Sequence, residues 1–96
     1  MLFRSKEKLR PPSDFHVIYL NDDKTTFEFV METLTAIFDY SIAEAEDMTR
    51  RIHEENQAVV ATLPYEMAEQ KASKLHYLLA IMGFHLQLKL RLLSDF

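Results

Sequence analysis

Two groups of hydrogen-bond-accepting side chains in this 96-residue chain could form a site together. Asn21, Asp22 and Asp23 follow one another directly after an apolar run, and His53 lies further along the chain. They offer an amide oxygen, two carboxylates and an imidazole nitrogen. Such groups can act as acid and base, hold a metal ion, or bind an amine, which has N–H donors but no acceptor. A joint site of any of these kinds requires that the fold bring His53 to the Asn-Asp-Asp turn.

An enzymatic site made of Asp22, Asp23 and His53 is one alternative, either as a metal centre or as an acid–base pair. The sequence has no HExxH motif, no cysteine and a single glycine, Gly83. A phosphate-binding glycine-rich loop and the common nucleophile motifs are therefore excluded. Taken singly, Asn-Asp-Asp is an ordinary turn and a lone histidine an ordinary surface residue. We predict no catalytic residue, no metal and no cofactor.

The elements that must position these side chains are predicted from local patterns. The β-branched and aromatic run at 15–20 predicts a first strand, which the Asn-Asp-Asp turn ends. Thr25 with Glu28 three residues on predicts a capping box and a first helix. Ser41 with Glu44 predicts a second box and a second helix, because apolar residues recur at helical spacing after each box.

The second half of the chain predicts a strand, a helix and a strand. The strand covers 57–63, Pro64 takes the first helical position, and Gly83 ends the helix in a left-handed conformation. The predicted inner or flanking faces of this helix include Met67, Lys71, Leu75, Leu78, Leu79 and Met82, with both methionines as core residues. Leucines alternate with polar residues in the last strand, at Leu86, Leu88, Leu90 and Leu92. The order β-α-α-β-α-β predicts an α+β, two-layer sandwich, with a three-stranded antiparallel sheet and three helices.

Charge and composition limit the partners. Four cations and one glutamate give residues 1–10 a charge of +3, which leaves −7 for the remainder of a chain with net charge −4. An acidic body disfavours nucleic acid as a partner. No apolar run approaches the roughly 20 residues of a membrane span.

Pro11 and Pro12 predict a flexible N-terminal arm at 1–13 and a core domain at 14–96. The absence of cysteine fits a cytoplasmic protein.

Several short segments at matching distances resemble one known family along residues 11–90. They are Pro11-Pro12-Ser13, Val17, Tyr19, Asn21-Asp22-Asp23, Thr25, Glu28-Phe29-Val30, Phe38, Ala45, His53, Ala58, Glu66, Ala68, Glu69, Lys71 and Leu86. Together they are similar to ClpS, the N-end-rule adaptor of the ATP-dependent Clp protease. The resemblance implies a protein without enzymatic activity, which binds substrate proteins that begin with leucine, phenylalanine, tyrosine or tryptophan. It also implies delivery to the N-terminal domain of an AAA+ unfoldase, ClpA or ClpC, that works with the ClpP peptidase.

The resemblance also assigns roles to residues. Asn21 and His53 would contact the substrate's α-amine, with Asp22 close by. The first side chain would enter a hydrophobic pocket formed by Asp23, Thr25, Phe27, Val30, Thr49, Ile52 and Leu86. The Clp ATPase would contact Lys24, Glu66 and Lys71. Phe27 and Thr49 stand where methionines are common in the family, which predicts a pocket of altered shape.

A second alternative is a protein-interaction module like the C-terminal domain of the ribosomal stalk protein, which has a similar architecture. Such a module would use a lysine-rich helix face, and this acidic chain has none. We therefore favour the adaptor, and expect a monomer with neither nucleic acid nor membrane as a partner.

Overall fold

The computed structural model describes residues 14–93, so the predicted arm at 1–13 and the last three residues lie outside the described part of the chain. The predicted order of strands and helices is confirmed. The elements are β1 (Asp14–Leu20), α1 (Phe27–Phe38), α2 (Ile42–Glu55), β2 (Gln57–Pro64), α3 (Tyr65–Met82) and β3 (Gln87–Leu92).

The predicted three-stranded antiparallel sheet is also confirmed, with the strands in the order β2-β1-β3. Val17 pairs with Ala61 whereas Ile18 pairs with Val59, so Val60 is an extra residue that forms a β-bulge in β2. The central strand is the most buried, and its residues Val17 and Tyr19 are fully inaccessible to solvent. β1 is the central strand, so the turn that follows Leu20 leaves the sheet between the two outer strands and leads into α1.

The hydrophobic core lies between one face of the sheet and the three helices. Alternate residues of β1, including Val17 and Tyr19, face this core together with Leu34 of α1 and Leu75 of α3. In β3 the predicted alternation holds for Leu88 and Leu90, which are half-buried and pack on the core. The pattern fails at its end, because Leu92 is 56% exposed at the edge of the sheet.

Two of the predicted helix starts need correction. The Thr25–Glu28 capping box is wrong, since Thr26 is the N-cap and its Oγ1 accepts a hydrogen bond of 3.1 Å from the backbone N–H of Phe29. The hydroxyl of Thr25 donates to the carboxylate of Asp22 instead. Pro64 stands one residue before α3, at its N-cap, rather than at the first helical position.

The start of α2 and the end of α3 form as predicted. Ser41 and Glu44 make a full capping box, in which Ser41 Oγ accepts from the Glu44 N–H at 3.1 Å and the Glu44 carboxylate accepts from the Ser41 N–H at 3.0 Å. Gly83 ends α3 with a φ of 75°. Its N–H donates to the Leu79 carbonyl at 2.8 Å. Glycine is favoured in this left-handed conformation because glycine has no Cβ.

The inner face of α3 differs from the predicted one. Met67 and Met82 are 46% and 54% exposed, so their assignment to the inner side is wrong. The buried residues are Ala68, Ala72, Leu75 and Leu79. Between residues 14 and 93, no helix is both long and apolar enough to cross a membrane.

Candidate functional site

The turn after β1 is held against the end of α2. The backbone N–H of Asn21 donates to the carbonyl of Asn56 at 2.8 Å, and Asn56 ends α2 in a left-handed conformation with a φ of 72°. His53 lies one turn earlier on the same helix. The fold therefore brings the Asn-Asp-Asp turn and His53 to one pocket, although they are far apart in sequence.

The conformation of this turn depends on Asp22. One of its carboxylate oxygens, Oδ2, accepts from the hydroxyl of Thr25 at 2.8 Å and from the backbone N–H of Lys24 at 3.2 Å. The Thr25 hydrogen bond is the largest of the effects that lower the pKa of Asp22, and it outweighs the opposing desolvation. Asp22 is therefore an anion at neutral pH, and its charge lies at the edge of the pocket.

His85 is a neighbour of this site that the sequence reasoning missed. Its electrostatic effect is the smallest of those that lower the pKa of Asp22, so it lies near this carboxylate without being one of the residues that line the pocket. His85 is exposed and alternates with leucines just before β3, so no local pattern distinguishes it from an ordinary surface residue.

A pocket of about 240 Å³ opens between the turn, α1 and α2. It is lined by nine of the predicted site residues: Asn21, Asp22, Asp23, Thr25, Phe27, Val30, Thr49, Ile52 and His53. Leu86 is not among these lining residues and is buried in the core at 4% exposure. Of the residues predicted to bind the amine or to form the hydrophobic pocket, the structure thus brings together all except Leu86.

The pocket has a polar rim and an apolar inner end. Val30 and Ile52 are 5% and 2% exposed, so they form the inner end together with the buried Thr49. Phe27 is 40% exposed and forms a wall nearer the mouth. Asn21, the aspartates and the exposed His53 supply the acceptors at the rim. This arrangement suits a ligand that has hydrogen-bond donors at one end and an apolar group at the other.

The lining residues include no cysteine or lysine nucleophile. Within residues 14–93, no cluster of three or more histidine, aspartate or glutamate side chains is placed to hold a metal ion.

The residues predicted to contact a Clp ATPase lie at two places. Glu66 is exposed in the first turn of α3. Lys71 is partly buried, because its Nζ donates to the carbonyl of Ile37 at 2.7 Å and lies 5.7 Å from the centre of the Phe38 ring. It thus binds the C-terminal end of α1. Lys24 precedes the N-terminal end of the same helix, so the structure does not bring it to Lys71.

Comparison with known proteins agrees with this geometry. The family model of the ATP-dependent Clp protease adaptor protein ClpS matches residues 10–89. This chain belongs to the ClpS family. A ClpS adapter of Nautilia profundicola is 40% identical over 76 residues, which cover 79% of this chain and 78% of the relative. One from Sodalis glossinidius is 40% identical over 67 residues, which cover 70% and 63%.

A solved ClpS structure has the same fold. Agrobacterium tumefaciens ClpS2 bound to L-phenylalaninamide superposes with a TM-score of 0.82 and 31% identity, over 86% of this chain and 100% of that one. The proteins of this family are Clp protease adaptors rather than enzymes, so the chain is an adaptor. Membership in the ClpS family also sets aside the ribosomal-stalk-like alternative.

Proposed function

We propose that this adaptor captures proteins whose first residue is leucine, phenylalanine, tyrosine or tryptophan, and delivers them to a Clp AAA+ unfoldase for degradation. The observation that carries the proposal is the pocket itself, in which hydrogen-bond acceptors at the rim adjoin an apolar inner end. The ligand of Agrobacterium tumefaciens ClpS2 has the complementary chemistry. L-phenylalaninamide has a free α-amine beside a phenyl ring, and an amide where a peptide chain would continue.

The amine is bound at the rim in this proposal. An α-ammonium group has three N–H donors and no acceptor, so its receptor must supply lone pairs. Asn21 supplies an amide oxygen and His53 an imidazole nitrogen, while the Asp22 carboxylate adds a negative charge nearby. Because Oδ2 of Asp22 already accepts from Thr25, the carboxylate is fixed in position before the substrate arrives.

The first side chain enters between α1 and α2. It contacts Phe27 on one side and Val30, Thr49 and Ile52 at the inner end. A side chain that branches at Cβ crowds the mouth, where the amine must reach its acceptors. We therefore expect valine and isoleucine to bind poorly, and the aromatic ring of Phe27 to favour aromatic first residues by about 0.5–1.5 kcal/mol.

Delivery takes place through other parts of the surface. Glu66 and Lys71 on α3, with Lys24 at the turn, contact the N-terminal domain of ClpA or ClpC. In this proposal the adaptor acts as a monomer in the cytoplasm. Because the rim of the pocket lies between the turn and α2, a captured N-terminus leaves the exposed face of α3 free for the unfoldase.

The proposal is tested by a titration with peptides that differ only at residue one. Leucine, phenylalanine, tyrosine and tryptophan should bind at least tenfold more tightly than alanine, because burial of a large side chain contributes about 1.5–3 kcal/mol. They should also bind more tightly than valine and isoleucine, whose branched Cβ crowds the mouth of the pocket. Fluorescence anisotropy of labelled peptides measures the dissociation constants. Affinities that do not depend on residue one would show that the pocket does not bind this side chain.

A further inference from the structure

Thr49 is a polar group at the apolar inner end of the pocket. It is 3% exposed, and the two other lining residues that are buried, Val30 and Ile52, have only hydrocarbon side chains. The remaining polar lining residues are at least partly exposed. Of all the residues that line the pocket, Thr49 alone therefore combines a polar side chain with burial.

The hydrogen bond of Thr49 determines what it can offer to a ligand. Its Oγ1 donates to the carbonyl of Ala45, one helical turn earlier, at 2.7 Å. The single hydroxyl proton is thus used within α2, while the oxygen keeps lone pairs that can accept. The buried hydroxyl is satisfied without a ligand, so any further hydrogen bond that it makes in the pocket must be one that it accepts.

We propose that Thr49 makes the adaptor prefer tyrosine to phenylalanine as the first residue of its substrate. This inference rests on the proposed function, because it assumes that a first side chain enters the pocket. The phenol hydroxyl of tyrosine donates to Thr49 Oγ1, while the ring contacts Phe27 and the apolar inner wall. The hydroxyl loses its water when it enters, and an unpaired buried hydroxyl is costly. With Thr49 present this loss is compensated, whereas an apolar residue at the same position would make phenylalanine the better ligand.

The test compares two peptides that are identical except for tyrosine or phenylalanine at residue one. The wild-type protein should bind the tyrosine peptide about three- to tenfold more tightly, the range expected for one buried hydrogen bond. Thr49→Val keeps the shape of the side chain but removes the oxygen, and should abolish or reverse this preference. Thr49→Ser keeps the hydroxyl and should keep the preference.

Thr35→Val is the matched control. Thr35 lies on α1 outside the pocket, and its hydroxyl makes the same kind of helix hydrogen bond, to the carbonyl of Glu32 at 2.9 Å. This variant should retain the wild-type ratio of the two dissociation constants. If Thr49→Val does not fold, Thr49→Ala removes the same oxygen and the ratio is measured there.

Two results would overturn the inference. Equal affinity of the wild-type protein for both peptides would show that Thr49 accepts no hydrogen bond from the ligand. A tyrosine preference that persists in Thr49→Val would assign the selectivity to another group. In both cases the phenylalanine peptide still binds, so the proposed function stands. If neither peptide binds, the proposed function and this inference fail together.

Discussion

Asn21 and His53 contribute to the site through their side chains, while the fold holds them by other means. The Asn21 backbone N–H makes the hydrogen bond that joins the turn to α2, so its side chain is free to face a ligand. His53 is exposed on the last turn of α2. The resemblance to ClpS predicted that both residues belong to one site, and both line the same pocket, while their role in amine binding stays a prediction. The role of Thr25 in fixing Asp22 could not be predicted, because two adjacent threonines compete for one capping position and only the observed hydrogen bonds decide between them.

Replacement of either acceptor should therefore weaken binding without unfolding the protein. Asn21→Ala and His53→Ala should each reduce the affinity for a phenylalanine-starting peptide by about 1.5–3 kcal/mol, as expected for a hydrogen bond to a charged group. The melting temperature should change little. His76→Ala is the matched control, because His76 is an exposed histidine on α3 outside the pocket. A large loss of melting temperature in either variant would show a structural role instead.

At the level of the elements, α3 has a buried face and an exposed face of different composition. Its small inner residues Ala68 and Ala72 are buried within the fold, while Glu66 remains exposed. Periodicity alone predicted Leu75 and Leu79 correctly but was wrong for Met67 and Met82, because methionine and alanine both fit an apolar stripe. The alanines complete the inner face with these leucines, whereas Met67 and Met82 are exposed. Lys71 also differs from a simple surface charge, since it binds the carbonyl of Ile37 at the end of α1.

Glu66 therefore gives a cleaner test of the docking surface than Lys71. Glu66→Lys should weaken binding to the N-terminal domain of ClpA or ClpC and leave peptide affinity unchanged, because exposed interface charges act on association at their own surface. Glu32→Lys makes the same charge change on the exposed side of α1 and should affect neither. Surface plasmon resonance measures both interactions. Unaltered unfoldase binding by Glu66→Lys would place the docking surface elsewhere. Lys71→Glu should also destabilise α1, so a loss of unfoldase binding in that variant could not be assigned to the docking surface alone.

At the level of the whole molecule, one buried hydrogen bond joins the centre of the sheet to the helical layer. The hydroxyl of Tyr19 lies 2.8 Å from Oγ1 of Thr33, whose own proton is donated to the carbonyl of Val30 at 2.8 Å. Tyr19 is therefore the donor. The sequence predicted the α+β sandwich because strand and helix patterns alternate clearly. It could not predict this bond, since the register of α1 against the sheet depends on packing.

The buried phenol predicts how stability depends on pH. Burial raises the pKa of Tyr19 well above its ordinary value of 10.0, despite the opposing effect of the Thr33 hydrogen bond. The folded state thus favours the neutral phenol, so stability is fully present below pH 10 and is lost as the pH rises further. Tyr19→Phe should cost about 1 kcal/mol at pH 7, from the lost hydrogen bond, and should reduce the decline above pH 10. Urea unfolding at pH 7, 9 and 10.5 measures both effects. An equally steep alkaline decline in Tyr19→Phe would assign it to other tyrosines.

The central claim is that the rim of the pocket binds a free α-amine. The most direct test is a titration of one phenylalanine-starting peptide in two forms, with its N-terminus free or acetylated. Acetylation removes the positive charge and two of the N–H donors but keeps the ring that enters the pocket. We predict a loss of about 2–5 kcal/mol, which nearly abolishes binding, because Asn21, Asp22 and His53 would then face a neutral amide. Equal affinity for the two forms would contradict the proposal that this adaptor recognises protein N-termini.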